Sequence, residues 1–115
     1  MLPRFAAATV ARMARGFPIV TLIGPRQSGK TTLARDAFPG KPYVSLETPN
    51  ERAYAQEDPL AFLDRFPQGA VLDEAQHAPQ LFSYLQTRVD LDGRMGLFVL
   101  TGSQNFGLLS SITQS

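Results

Sequence analysis

The stretch that most restricts what this chain can become is residues 24–31, Gly-Pro-Arg-Gln-Ser-Gly-Lys-Thr. Its fixed positions, Gly24, Gly29, Lys30 and Thr31, follow the spacing G-x-x-x-x-G-K-[ST]. An apolar run, Ile19-Val20-Thr21-Leu22-Ile23, precedes it, and a helix-compatible run, Thr32 to Phe38, follows. Strand, glycine loop and helix, in that order, are the context in which such a loop holds phosphate. Gly24 permits the sharp turn out of the strand, and Gly29 lets the backbone approach a phosphate with no Cβ in the way. The candidate binding segment is therefore Gly24, Pro25, Arg26, Gln27, Ser28, Gly29, Lys30, Thr31 and Thr32. Its backbone N–H groups form an anion cradle. The following helix adds unpaired donors and the positive end of its dipole. Lys30 places a point charge on the outer phosphates, and the Thr31 hydroxyl is the candidate Mg²⁺ ligand.

A second segment completes the chemistry. Ala70-Val71-Leu72-Asp73-Glu74 is an apolar strand ending in two carboxylates. Acidic residues often follow strands, so the pair gains meaning only from the loop upstream. Phosphoryl transfer needs Mg²⁺ across the β- and γ-phosphates and a carboxylate to hold the metal's water shell; Asp73 is placed for that. Hydrolysis also needs a group that orients and activates water. Glu74 is expected to point to the opposite side of an extended backbone, so adjacent carboxylates serve two roles. Glu74 and Lys30 are the candidate catalytic residues.

The third segment, Leu100-Thr101-Gly102-Ser103-Gln104-Asn105, closes an apolar strand with small polar residues. In a parallel sheet that end of a strand faces the ligand. Ser103, then Asn105 and Thr101, are candidate sensors of the γ-phosphate. Gln76 is a further candidate for sensing nucleotide state, and Arg26 for a partner or phosphate contact. Glu47 reads better as structural, and His77, the only histidine, makes no metal site by itself.

The rest of the chain supplies an alternation of elements. A first helix is expected over about 3–15, with Leu2, Phe5, Ala6, Val10 and Met13 on one face and arginines on the other. This amphipathic pattern explains the basic, Ala-rich start better than a transit peptide does. Strands are expected at 18–23, 43–46, 70–73 and 96–100. Thr48-Pro49-Asn50-Glu51 has the form of a capping box, and Asp58-Pro59 repeats the cap-plus-proline arrangement. A longer helix is expected from Pro79 to Val89. Continuous apolar strands alternating with helices indicate an α/β fold, a parallel sheet covered on both faces. At 115 residues and 43% apolar the chain has the material for one core. It has no cysteine, which excludes disulfides and thiolate metal sites and suits a cytoplasmic location. No run approaches the roughly 20 apolar residues of a membrane span.

These segments together resemble the prokaryotic AAA-type ATPases that carry a C-terminal domain of unknown function. The resemblance rests on Leu22 to Leu33, Tyr43-Val44-Ser45-Leu46-Glu47, Val71 to Pro79 and Leu100 to Asn105, in order and with the expected spacing. It implies a P-loop NTPase three-layer sandwich with strand order 5-1-4-3-2. Of this the chain supplies 2-3-4-1, with the fifth strand missing. It also implies ATP as ligand and a catalytic Glu beside the metal-site Asp. A helical pattern that starts at Phe106 and stops at Ser115 leads us to expect that residues 1–115 are the N-terminal portion of such a domain. The expected partners are then a C-terminal domain of the same protein and a homo-oligomer supplying an arginine finger, with a protein or DNA partner left open. A nucleotide-gated binding module with little hydrolysis is the alternative reading, and a small-molecule kinase a more distant one.

Overall fold

The computed structural model describes residues 4–25 and 29–103. Arg26, Gln27, Ser28 and Asn105, and the helical pattern after Phe106, lie outside the described residues. The elements run α1 (Arg4–Met13), β1 (Ile19–Ile23), α2 (Lys30–Ala37), β2 (Tyr43–Ser45), α3 (Pro49–Glu57), α4 (Pro59–Asp64), β3 (Ala70–Asp73), a 3₁₀ turn (Ala75–His77), α5 (Leu81–Asp92) and β4 (Phe98–Gly102). No helix among the described residues is long and apolar enough to cross a membrane.

The four strands form one parallel sheet in the order β1-β4-β3-β2. That is the expected order, and the fold is the α/β sandwich of a P-loop NTPase. Side-chain alternation divides the core. Ile19, Val44, Leu46, Ala70, Leu72, Phe98 and Leu100 face α3, α4 and α5. Val20, Val71 and Val99 face the other way, onto α1 and α2 through Val10, Ala14, Leu33 and Ala34. Both faces of β3 and β4 are buried, which is why these strands read as unbroken apolar runs. Of the face expected on α1, Val10 is buried but Met13 is 45% exposed; Ala14 takes the inner position instead.

Several local expectations shift. β4 starts at Phe98 rather than Gly96 and runs on to Gly102. Gly96 sits at φ 65° in a turn, while Thr101 and Gly102 pair with Leu22 and Ile23 in the ladder. Thr101 thus belongs to the strand and not to its exit, while Ser103 follows the strand's end. α5 starts two residues late, after the 3₁₀ turn. The Asp58 cap forms, its carboxylate accepting from Ala61 N–H at 3.2 Å. The Thr48 box does not: the Thr48 side chain makes no cap bond. Glu51 is drawn away by Arg65, which donates to its two oxygens at 2.7 and 3.2 Å. That guanidinium also lies over the rings of Tyr54, Phe62 and Phe66, so Glu51 ties α3 to α4 instead of closing α3's own first turn.

The approach to β3 depends on Gly69, at φ 82°. A Cβ there would land on the Leu97 carbonyl, so both conformation and space require glycine. We expect Gly69→Ala to lower stability by about 3 kcal/mol, combining left-handed strain with overpacking. Urea unfolding measures this; a loss under about 1 kcal/mol would show that the loop yields.

Candidate active site

The sheet register brings the four strand ends together. Ser45 opposes Asp73, Ile23 opposes Gly102, and Gly24 N–H donates to Gly102 O at 3.1 Å. The chain then turns through Gly29, at φ 89°, directly into α2. This sets the first turn of α2 beside the C-terminal ends of β1, β3 and β4. A cavity of about 410 Å³ opens there, lined by Gly29, Lys30, Thr31, Thr32, Glu47, Asp73 and Glu74. A larger one, about 560 Å³, shares Thr32 and runs along Arg35, Phe38, Lys41 and Tyr43. Chemistry decides between them: only the smaller holds the helix start, a lysine and both strand-end carboxylates.

Asp73 is the hub of the site. Its Oδ1 accepts the Thr31 hydroxyl at 2.7 Å and a short hydrogen bond from the Thr101 hydroxyl. Its Oδ2 accepts the Tyr43 hydroxyl at 2.8 Å. Thr101 also accepts Glu74 N–H at 3.0 Å and is fully buried. It therefore braces the two carboxylate positions against each other and lies beneath the cavity.

Glu74 departs from the expected extended geometry. Its backbone is left-handed, φ 54° and ψ 52°, the only positive φ at a non-glycine among the described residues. The strand ends at Asp73, and the left-handed residue swings the Glu74 side chain back toward α2. There Lys30 Nζ lies 3.3 Å from Glu74 Oε2, both side chains being buried. Lys30 also donates to Pro25 O at 3.4 Å. Gln76 Nε2 donates to Glu74 Oε1 at 2.8 Å and to Ser103 Oγ at 3.1 Å. Burial pushes the Glu74 pKa up, but hydrogen bonds from Gln76, Ser103 and Lys30, with the lysine charge, outweigh it and hold the carboxyl below its ordinary value. A carboxyl with a depressed folded-state pKa stabilises the fold above its unfolded pKa. That contribution is lost as pH falls through the lower, folded value.

The structure thus gathers Gly29, Lys30, Thr31, Thr32, Asp73, Glu74, Thr101 and Ser103 in one region, with Gly24 and Pro25 at the loop's entry. Glu47 lines the same cavity, with its carboxylate 4.0 Å from His77 Nε2. Sequence reading passed over Tyr43. The signal was present: in a strand, Tyr43 shares a face with Ser45, the residue opposite Asp73.

The residues fit a magnesium ion. Thr31 donates its hydroxyl hydrogen bond to Asp73 and keeps its acceptor lone pairs. Mg²⁺ takes one or two carboxylates and completes its shell with phosphate oxygens and water. Among the described residues no group of three or more His, Asp or Glu is placed to hold a metal alone, so a metal here would arrive with phosphate ligands.

The AAA domain family matches residues 16–115. "Uncharacterized protein Mb2031c" of Mycobacterium bovis and "Uncharacterized protein Rv2008c" of Mycobacterium tuberculosis are each 34% identical over 113 residues, covering 97% of this chain and 26% of theirs. The chain therefore spans about a quarter of the length of these curated relatives. No solved structure matches it. The match runs from the turn before β1 through the glycine loop, the carboxylate pair and β4, and on that ground the chain belongs to the AAA domain family of ATPase-like modules.

Proposed function

We propose that this chain binds ATP with Mg²⁺ and hydrolyses it, as the N-terminal portion of an AAA-type ATPase domain in a longer protein. The observation that carries this is the convergence of Lys30 and Thr31, at the start of α2, with Asp73 and Glu74, at the end of β3, around one cavity. The α2 N–H groups and Lys30 bind the polyphosphate. Thr31 and Asp73 would hold the metal, the hydroxyl as a ligand and the carboxylate through its water shell. Mg²⁺ bound there would supply positive charge to offset the negative charge that develops on the phosphate oxygens. Glu74 accepts a proton from the attacking water as the water oxygen bonds to the γ-phosphorus and the bond to the bridging oxygen breaks. Ser103, hydrogen-bonded to the group that holds Glu74, is the sensor best supported. Thr101 acts as a brace.

The Lys30–Glu74 pair favours an order of events. Lys30 neutralises Glu74 until polyphosphate draws the lysine away, so the carboxylate is released only when substrate is present. Hydrolysis then drives a conformational switch in the rest of the protein, with an arginine finger supplied by a second copy. The same pair would also serve a nucleotide-gated binding module, and turnover separates the two readings.

The direct test is thermal unfolding with ATP, with and without Mg²⁺. Ligand at 100 times its Kd should add about 2.7 kcal/mol. No shift with ATP in either condition would remove the nucleotide reading, and a shift indifferent to Mg²⁺ would remove the metal from it.

A further inference from the structure

The Asp73 carboxylate is held in a way that the proposed ATPase role does not by itself explain. A carboxylate offers about four acceptor positions. Three are filled here by hydroxyl donors from three elements: Thr31 of α2 and Thr101 of β4 on Oδ1, and Tyr43 of β2 on Oδ2. Oδ1 is saturated, which leaves the one open position on Oδ2, beside the Tyr43 hydroxyl. An aspartate's terminal torsion is broad and roughly two-fold. Two donors on Oδ1 leave the carboxylate able to pivot about that oxygen. The donor on Oδ2 removes this freedom.

Tyr43 is itself clamped. The Arg35 guanidinium sits 4.6 Å from the centre of its ring, in cation–π geometry. Arg35 and Thr31 are i and i+4 neighbours on one face of α2. The same helix face therefore grips both carboxylate oxygens, Oδ1 through the Thr31 hydroxyl and Oδ2 through the ring that Arg35 covers. Tyr43 is 36% exposed, so its place is set by these two contacts, with a hydrogen bond from the Ser45 side chain, more than by core packing.

We propose that Tyr43 is a positioning residue that fixes the plane of Asp73, so that the remaining acceptor position on Oδ2 receives a water of nucleotide-bound Mg²⁺. The inference rests on the reading of Asp73 as the metal-site carboxylate. It predicts an effect confined to the metal-dependent part of nucleotide binding.

The experiment measures the Kd of a non-hydrolysable ATP analogue in Mg²⁺ and in EDTA, for the wild type, Tyr43→Phe and Arg35→Met. The ratio of the two Kd values is the gain from the metal. Tyr43→Phe keeps the ring and its stacking and loses only the hydroxyl. We expect it to cut the gain about tenfold, the scale of a hydrogen bond to a charged group, with the Kd in EDTA changed less than about twofold. Arg35→Met leaves the hydroxyl but frees the ring, and should cut the gain about threefold. An unchanged gain in Tyr43→Phe overturns the proposal. So does a larger gain, which would make the hydroxyl a competitor of the metal's water. Equal weakening in both conditions would show a merely structural role and overturns it too. A wild type with no gain from Mg²⁺ sinks the metal-site reading itself, a result distinct from a normal wild-type gain that Tyr43→Phe leaves intact.

Discussion

Replacing Lys30 with alanine should weaken nucleotide binding at least about 100-fold and also destabilise the nucleotide-free fold by about 3 kcal/mol. The first effect is the loss of a charge-assisted contact to polyphosphate, worth about 1.5–3 kcal/mol for each hydrogen bond. The second comes from the partner left behind. Glu74 is buried and paired with Lys30 at 3.3 Å, and breaking such a pair from one side costs about 3–5 kcal/mol. The low end applies because the cavity above lets water reach the carboxylate. With the lysine gone, burial acts on Glu74 with less opposition and its pKa rises. Isothermal titration and urea unfolding give the two numbers. A double variant, Lys30→Ala with Glu74→Ala, should lose less stability than the two single losses summed, because no charge is left unpaired. Full additivity would mean the ion pair contributes nothing to the ligand-free protein.

The second large effect belongs to Glu74→Gln. Phosphate release by the full-length protein should fall about 10²–10³-fold, the range for removing a positioned general base. Affinity for Mg·ATP should stay the same or increase. Glutamine keeps the shape and can still meet Gln76 and Ser103, but it takes no proton from water and no longer holds Lys30 as an ion pair. The lysine is then available to phosphate without first leaving a carboxylate. Unchanged turnover would remove Glu74 from the chemistry. Lower turnover together with equally weakened binding would make Glu74 a scaffold of the loop.

Much of this was legible in the residues because it is local. The apolar runs at 19–23, 70–73 and 98–100 give strands wherever both faces are buried, and a glycine-lysine-threonine turn between strand and helix has few other uses. What was not legible depends on contacts distant in sequence. Thr48 has every local mark of a capping box, yet Glu51 is claimed by Arg65 from α4. Thr101 reads as an exposed strand exit, but its pairing with Leu22 buries it beneath Asp73 and Glu74. Tyr43 is marked only by sharing a strand face with Ser45, and it takes the parallel pairing of β2 with β3 to carry its hydroxyl to Asp73. Glu74 is the hardest of these. Glutamate has no preference for left-handed backbone, so an extended continuation of β3 was the natural expectation.

That left-handed glutamate has a consequence for how this sequence changes over time. Holding a non-glycine residue there costs about 1–2 kcal/mol, a penalty that glycine escapes and asparagine reduces. In a lineage that stopped using the carboxylate, mutation would drift toward those residues. Such copies would stay folded and keep the phosphate loop and Asp73, and would still pass for working members by their first motif. If Glu74 has the proposed role, the residue after Asp73 is therefore the place to read whether a given descendant can hydrolyse nucleotide or only hold it.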